Sequence, residues 1–270
     1  DLKQSTQIFE QSLALYKELG DKIGQIGVSG NLIYTNNRDI ERSKNLLLEN
    51  LKLCRELGHL GGIANCLGRL SLLAIWEGDF SSPIPWLDEV REILLQLGDE
   101  GDQGNISVTF AFLAYWQDNY EQAISHYNDA ITMFDRLGET GNSFWAKTHL
   151  AYAVLMQGDI QQAKEIFENS IRHFKESGSV IGVVYALEGL ASLNVMKSDF
   201  LRATQLFAWA DAIREKIGDK RPPVEQGSVD KDLEIIHSEM DDVTFDKLWK
   251  EGSKLTTEEA IDLAMKETTS

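Results

Sequence analysis

Hydrophobic and polar residues recur along this chain with a period of 40 residues. Five closely similar dipeptides mark the period: Leu57-Gly58, Leu97-Gly98, Leu137-Gly138, Ser177-Gly178 and Ile217-Gly218. Upstream of each dipeptide, a small residue is followed four positions later by a large apolar one and then, three positions on, by another that is mostly small. This i, i+4, i+7 spacing places one stripe on one helix face. A period of this length is typical of stacked helical hairpins.

The stripe predicts the packing face of the second helix in each hairpin. Helices approach closely where side chains are short, and a bulky side chain fills the groove beside them. The large residues of the stripe are Leu47, Leu87, Tyr127, Phe167 and Phe207, and the residues four positions before them are Ser43, Pro83, Ala123, Ala163 and Ala203.

A short turn precedes each of these second helices. Glycine permits a left-handed backbone at the end of one helix, and Asp or Asn caps the start of the next. We therefore expect antiparallel helix pairs over residues 1–218, about five of them after a leading helix. The turns are Asn37-Arg38-Asp39, Gly78-Asp79-Phe80, Asp118-Asn119-Tyr120, Gly158-Asp159-Ile160 and Ser198-Asp199-Phe200.

Two stretches depart from the regular repeat. Around Ser82 and Pro83, proline is tolerated in a first helical turn, so Ser82 can cap a helix that begins about one turn late. Gly24, Gly27 and Gly30 each lower helix propensity by about 1 kcal/mol against alanine. Their spacing predicts a frayed or tightly crossed first helix.

Past Gly218 we expect the period to end. Residues 219–228 read as a linker or turn, and residues 229–270 as a helical capping segment. A solenoid's last repeat exposes an apolar face that such a segment covers. Thr256 and Glu259 form a capping-box signature for the final helix.

Composition narrows the classes of function. The 270 residues carry a formal net charge of −17, which repels a phosphate backbone, so we expect no nucleic-acid binding by this segment. No apolar run reaches the roughly 18 residues of a membrane span, and the N-terminus lacks a signal-peptide pattern, so we expect no membrane partner and a cytoplasmic location. The missing initiator Met suggests a piece of a longer protein. Cys54 and Cys66 lack metal or disulfide spacing and are expected to be buried thiols.

Catalytic and cofactor motifs are missing from the sequence. It contains no HExxH, GxSxG, Walker A or calcium-loop motif. The histidines fall at unrelated positions of the repeat: His59, His126, His149, His173 and His237. We therefore expect no catalytic residues, no metal site and no cofactor, and we do not expect an enzyme.

The small–aromatic–small stripe and its paired helix resemble the tetratricopeptide repeat (TPR) family over about residues 2–218. The 40-residue unit is longer than the family's standard unit and lacks its regular proline. Long units of this kind resemble the C-terminal sensor segments of bacterial signalling ATPases and LuxR-type transcription regulators. The resemblance implies an all-α fold, a right-handed superhelix of antiparallel helix pairs (an α-solenoid) with a C-terminal helical cap.

In the TPR family the first helix of each pair lines the inner wall of the superhelix, where partners bind. Aromatic side chains bury large areas at low entropic cost and are frequent in binding hot spots. The partner-binding residues that the resemblance implies are Trp76, Asn105, Phe112, Tyr115, Trp116, Trp145, Tyr152 and Tyr185. The family's wall positions also include Thr148 and Glu188 of this chain.

An error of one residue in helical phase would place several of these residues in the core instead. Tyr115 and Trp116 are favoured because two neighbouring residues cannot both face one packing seam.

Our preferred hypothesis is a non-catalytic protein–protein interaction and sensing module of a larger bacterial signalling or transcription-regulating protein. Its partner would be a protein or peptide segment, including upstream domains of the same polypeptide. One alternative is a receptor domain for a small molecule such as a peptide or sugar. Another is a purely structural spacer.

Overall fold

A computed structural model describes residues 2–35 and 40–266. Within those ranges the chain forms helices and no strand, so the all-α, TPR-like class is confirmed. The predicted turn Asn37-Arg38-Asp39 and residues 267–270 lie outside the described ranges. The helices are α1 (Leu2–Leu19), α2 (Lys22–Thr35), α3 (Ile40–Leu57), α4 (Leu60–Trp76), α5 (Pro83–Leu97), α6 (Glu100–Trp116), α7 (Tyr120–Leu137), α8 (Thr140–Met156), α9 (Ile160–Ser177), α10 (Val180–Met196), α11 (Phe200–Ile217), α12 (Pro223–Glu239), α13 (Asp242–Gly252) and α14 (Thr257–Met265).

The chain divides into two compact units, Asp1–Trp116 (unit 1) and Gln117–Ser270 (unit 2). In unit 1, sequential neighbours from α1 to α6 pack on one another, and α4 also contacts α6. In unit 2 the same pattern joins α7 to α11, with α8 against α10. Each unit is therefore a stack of helical hairpins in which first helices also contact first helices.

The predicted stripe is the core seam in both units. Every large member is almost fully buried: Leu47, Leu87, Tyr127, Phe167 and Phe207 are at most 1% exposed. The small members Ser43, Ala123, Ala163 and Ala203 are at most 2% exposed, and Pro83 is buried as well. The helical phase assigned from the sequence is therefore correct.

The helices end at residues with left-handed backbone and begin at polar N-caps, at the positions that the repeat predicts. Gly58, Gly98, Gly138, Gly178 and Gly218 all have φ between 64° and 74°. At the turns inside the hairpins, Gly78 and Gly158 also have left-handed backbone conformations. At the equivalent turn positions, Asp118 and Ser198 are left-handed too, with φ values of 59° and 60°. The side chains of Asn119, Asp159 and Asp199 accept hydrogen bonds from the backbone three residues on.

Both predicted irregularities occur. Helix α5 begins at Pro83, about one turn later than its equivalents, with Ser82 at the N-cap. Its capping differs from the prediction: Asp79 Oδ1, not the Ser82 hydroxyl, accepts from the backbone N–H groups of Ser81 and Ser82, at 3.0 Å each. In α2, a Cβ on Gly24 would lie 2.3 Å from the Tyr16 ring, so α1 and α2 cross tightly there.

The C-terminal segment differs from the prediction at its start. Residues 219–228 are not all linker, because α12 begins at Pro223, where a proline suits the first turn of a helix. Helix α13 packs on α11, and a Cβ on Gly252 would lie 2.4 Å from the Gln205 carbonyl oxygen. The capping box of Thr256 and Glu259 is present at the start of α14.

Helix α14 lies against α10 and α11. The Lys175 ammonium in α9 pairs with Glu258 near its start, and Arg202 Nη1 in α11 donates to the Lys266 carbonyl at its end, at 2.6 Å. Helices α13 and α14 thus cover the last regular hairpin. None of the helices in the described ranges is long and apolar enough to cross a membrane.

Candidate partner-binding surface

Helices α4, α6, α8 and α10 each have 17 residues and follow one another at 40-residue intervals. Their equivalent positions can therefore be compared directly. Three positions, spaced by seven and four residues, share one face; we call them the wall positions. They hold Asn65, Leu72 and Trp76 in α4; Asn105, Phe112 and Trp116 in α6; Trp145, Tyr152 and Met156 in α8; and Tyr185, Ser192 and Met196 in α10.

The wall positions of unit 1 combine exposed amides with half-buried rings. Asn65 and Asn105 are exposed, whereas Trp76, Phe112 and Trp116 are half-buried. Trp76 packs on the core cluster of Leu47, Cys66, Leu70 and Leu73. Phe112 and Trp116 pack on the cluster of Ile75, Leu87 and Leu113. Each ring is therefore anchored on one side by the core and partly open on the other.

Two indole N–H groups in this set are buried without an acceptor among the described residues: Nε1 of Trp76 and Nε1 of Trp116. A buried donor without a partner costs free energy. The fully buried core residue Trp209 has such an indole N–H as well, so this feature alone does not mark a binding site.

Tyr115 and Trp116 occupy different positions of the 40-residue repeat, and their equivalents in the other first helices differ in burial. Its equivalents Ile75, Leu155 and Val195 are buried, with 0%, 2% and 5% exposure, whereas the equivalents Met156 and Met196 of Trp116 are 47% and 49% exposed. Tyr115 is half-buried, and its ring makes an edge contact with Trp116 at 5.0 Å between centroids. Of the two neighbours, Trp116 is the wall residue and Tyr115 lies on the packing side.

The wall aromatics of unit 2 are bonded to one another and to α12. The Tyr152 hydroxyl donates to the Tyr185 carbonyl at 2.6 Å, and the Tyr185 hydroxyl donates to Glu225 Oε2 at 3.0 Å. Trp145 contacts the rings of Phe174 and Tyr185, at 5.2 and 5.4 Å between centroids. The TPR resemblance also implied that Thr148 and Glu188 lie on the wall. They are 0% and 5% exposed, so this prediction was wrong for both.

His149 lies at the centre of this aromatic cluster. Its ring centroid is 5.6 Å from that of Tyr185, 6.1 Å from Trp145 and 6.3 Å from Tyr152. Burial lowers the pKa of His149 to about 4, so the ring is neutral at pH 7. Sequence reasoning treated this histidine as one of five unrelated ones. The signal that it missed was the spacing of Trp145, His149 and Tyr152 along one helix face.

A buried ion network joins α10, α11 and the short segment between α11 and α12. Glu188 accepts from Arg214 Nε and Nη2, both at 2.8 Å, and from Arg221 Nη2 at 2.6 Å. The side chains of these three residues are only 3–6% exposed. Arg214 also pairs with Asp219, and Arg221 pairs with Asp211. This network could not be predicted from the sequence, because Arg221 lies in the segment that was predicted to be a linker.

Helix α12 keeps the 40-residue register of the first helices. Tyr185 and Glu225 are 40 residues apart, and so are Ser192 and Asp232, whose Oγ–Oδ2 hydrogen bond measures 2.6 Å. The expectation that the period ends at Gly218 was therefore wrong for the first helix that follows. Burial raises the pKa of Glu225 to about 7 and that of Asp232 above its usual range.

The remaining candidate chemistry lies apart. In the described part of the chain, no group of three or more His, Cys, Asp or Glu side chains is placed to hold a metal ion. Cys54 and Cys66 are free and buried, as predicted. Burial raises the pKa of both thiols, that of Cys66 to about 12, so neither is a reactive thiolate at neutral pH.

Comparison with known proteins supports the fold class. Residues 102–176 match the model of the tetratricopeptide repeat family. BtubC (BKLC) from P. vanneervenii, solved by crystallography, superposes with a TM-score of 0.60 at 16% sequence identity, covering 82% of this chain and 94% of that protein. No curated protein matches the sequence. At this identity the structural match concerns the fold alone.

Proposed function

We propose that this chain is a non-catalytic protein–protein interaction module that binds a peptide segment of a partner through the wall positions of α4 and α6. TPR repeats generally mediate protein–protein interactions, and residues 102–176 match that family. The observation that carries the proposal is the set of half-buried rings Trp76, Phe112 and Trp116, anchored on the core and partly open.

The chemistry of these positions suits a peptide. Large rigid rings supply apolar contact area at low entropic cost. Asn65 and Asn105 are exposed on the same helix faces, and each carboxamide carries both donors and an acceptor that can pair with a peptide backbone. The equivalent α10 position, Tyr185, is already bonded to α12, so we assign the binding surface to unit 1.

The test is a selection of binding peptides from a random display library, followed by affinity measurements on variants. We expect the double variant Trp76→Ala/Trp116→Ala to weaken the selected peptides by about 30-fold or more, the size of a hot-spot loss. Leu95→Ala is the control, because Leu95 is an exposed apolar residue of unit 1 away from the wall positions.

Circular dichroism would show that each variant remains helical. Peptides that bind the double variant as tightly as the wild type would refute the proposed surface. Native mass spectrometry of freshly expressed protein gives a second readout, since a retained small molecule would favour a small-molecule receptor instead.

We further propose that the module works in the cytoplasm as part of a larger signalling or transcription-regulating protein. What supports this is the resemblance of the long repeat unit to the sensor segments of such proteins. Upstream domains of the same polypeptide would then be candidate partners. The full-length reading frame tests this directly: a frame without an ATPase or DNA-binding domain would contradict it.

A further inference from the structure

A basic cavity lies in unit 2, where helices α9, α10, α11 and α14 meet. Its volume is about 230 Å³, several times the roughly 30 Å³ share of one water molecule. Four basic residues line it, Lys164, Lys197, Arg202 and Lys266, together with Asn194 and three apolar residues, Leu190, Leu193 and Ala264.

This concentration of positive charge runs against the composition of the chain. Acidic residues outnumber basic ones by 43 to 26, yet no carboxylate lines the cavity among the described residues. Two of the cations have acidic partners outside the cavity: Arg202 Nε is 3.3 Å from Asp199 Oδ2, and Lys164 Nζ is 3.6 Å from Glu168 Oε1. Lys197 and Lys266 form no ion pair with any residue of the described ranges, so the cavity keeps a net positive charge.

Two polar groups of the cavity, those of Arg202 and Asn194, are held in place before any ligand arrives. Arg202 is fixed by Asp199 and by its hydrogen bond to the Lys266 carbonyl, and its side chain is 15% exposed. Asn194 is 5% exposed, and its amide nitrogen donates to the Leu190 carbonyl at 2.7 Å, which uses one of its two hydrogens. Preorganised donors lose little entropy when they bind an anion.

From this charge, size and fixed geometry we propose that the cavity binds a phosphate-class oxyanion, either free phosphate or the phosphate group of a small metabolite. Guanidinium and ammonium groups form charge-assisted hydrogen bonds with phosphate oxygens. The cavity is lined by residues of unit 2 and by none of the wall positions of α4 and α6, so that peptide binding and anion binding can be tested with different variants.

The experiment is titration of the whole chain with inorganic phosphate and, separately, with pyrophosphate, followed by calorimetry and amide NMR at constant ionic strength. We expect saturable binding that weakens as chloride rises, with shifts at the amides of Lys197 and Arg202. Tighter binding of pyrophosphate would point to a phosphorylated metabolite, and tighter binding of inorganic phosphate to the free ion.

The key variant is Lys197→Gln/Lys266→Gln, which should fold normally because neither lysine is ion-paired within the described residues. We expect it to weaken phosphate binding about tenfold or more. Lys231→Gln/Lys250→Gln is the matched control, since it removes the same charge at two exposed lysines of α12 and α13. Equal loss in both double variants, or no saturable binding by the wild type, would overturn the proposal.

Discussion

Units 1 and 2 both carry aromatic residues at wall positions, but mostly at different ones. Trp76 and Trp116 of unit 1 align with methionines in unit 2, and Trp145 and Tyr185 of unit 2 align with asparagines in unit 1. In unit 2, Tyr152 bonds to the α10 backbone, Tyr185 bonds to Glu225, and Trp145 contacts both Tyr185 and a core ring. In unit 1, Trp76 and Trp116 rest on the core through their rings, and their indole N–H groups find no acceptor among the described residues. The wall aromatics of unit 2 therefore bind to neighbouring helices of that unit, whereas those of unit 1 stay partly open.

The contact between α10 and α12 also depends on Glu188, which lies about one turn from Tyr185. The position of Glu188 in α10 is equivalent to Gly68 in α4 and Val108 in α6. Only the carboxylate can gather the guanidinium groups of Arg214 and Arg221, and Arg221 leads directly into α12. These ion pairs hold the segment that leads into α12 beside α10, whereas α4 and α6 pack on each other without a charge at this position.

The largest expected effect comes from removing that carboxylate. Glu188→Ala leaves two buried guanidinium groups without their shared partner, and breaking a buried ion pair from one side costs about 3 to 5 kcal/mol. Urea unfolding measures the loss, and hydrogen exchange shows whether α12 opens. Glu215→Ala, an exposed glutamate of α11, is the control. A loss no larger than that of the control would mean that the network does not hold α12.

A smaller loss of stability is expected from a change in the core seam, which both units share. Ala163→Leu should overpack the seam and cost about 1 to 3 kcal/mol, because Ala163 is fully buried. The neighbouring exposed residue Gln161→Leu should be nearly neutral. Ser43→Leu, at the equivalent position of unit 1 and 2% exposed, should cost about as much as Ala163→Leu. Equal melting temperatures for Ala163→Leu and Gln161→Leu would contradict the assigned helical phase.

The seam could be predicted because it depends on local spacing. Burial of Leu47, Tyr127 and Phe167 follows from residues four and seven positions apart on one helix, repeated at a constant interval. The late start of α5 followed in the same way from Pro83. Such features need no knowledge of distant residues.

The wall was harder to predict because its state depends on contacts between distant segments. The residues near Tyr185 in the sequence do not indicate that its hydroxyl bonds to Glu225, which is 40 residues away. Arg221 lies in a segment whose composition is typical of a linker. Tyr115 and Trp116 are both half-buried, and they differ only in their equivalents in other repeats. Those of Tyr115 are buried (Ile75, Leu155 and Val195), and those of Trp116 in unit 2 are exposed (Met156 and Met196).

The last prediction concerns the pH dependence of the α12 contact, which exists in unit 2 alone. Burial raises the pKa of Glu225 from 4.5 to about 7, with further contributions from Glu188 and Asp219; the Tyr185 hydroxyl and Arg214 oppose the rise. Because the folded state holds this proton more tightly than the unfolded state, stability decreases as pH rises from about 4.5 to 7 and is constant above, with a slope of at most about 1.4 kcal/mol per pH unit.

Glu225→Gln keeps an acceptor for the Tyr185 hydroxyl and removes the titration. We therefore expect the variant to be more stable than the wild type at pH 8 and about equal to it at pH 5, as measured by urea unfolding at both values. His149, with its pKa lowered to about 4, destabilises both proteins equally as pH falls below 6.5, so the difference between them isolates Glu225. A variant less stable than the wild type by the same amount at both pH values would show that Glu225 is ionised when α12 is docked.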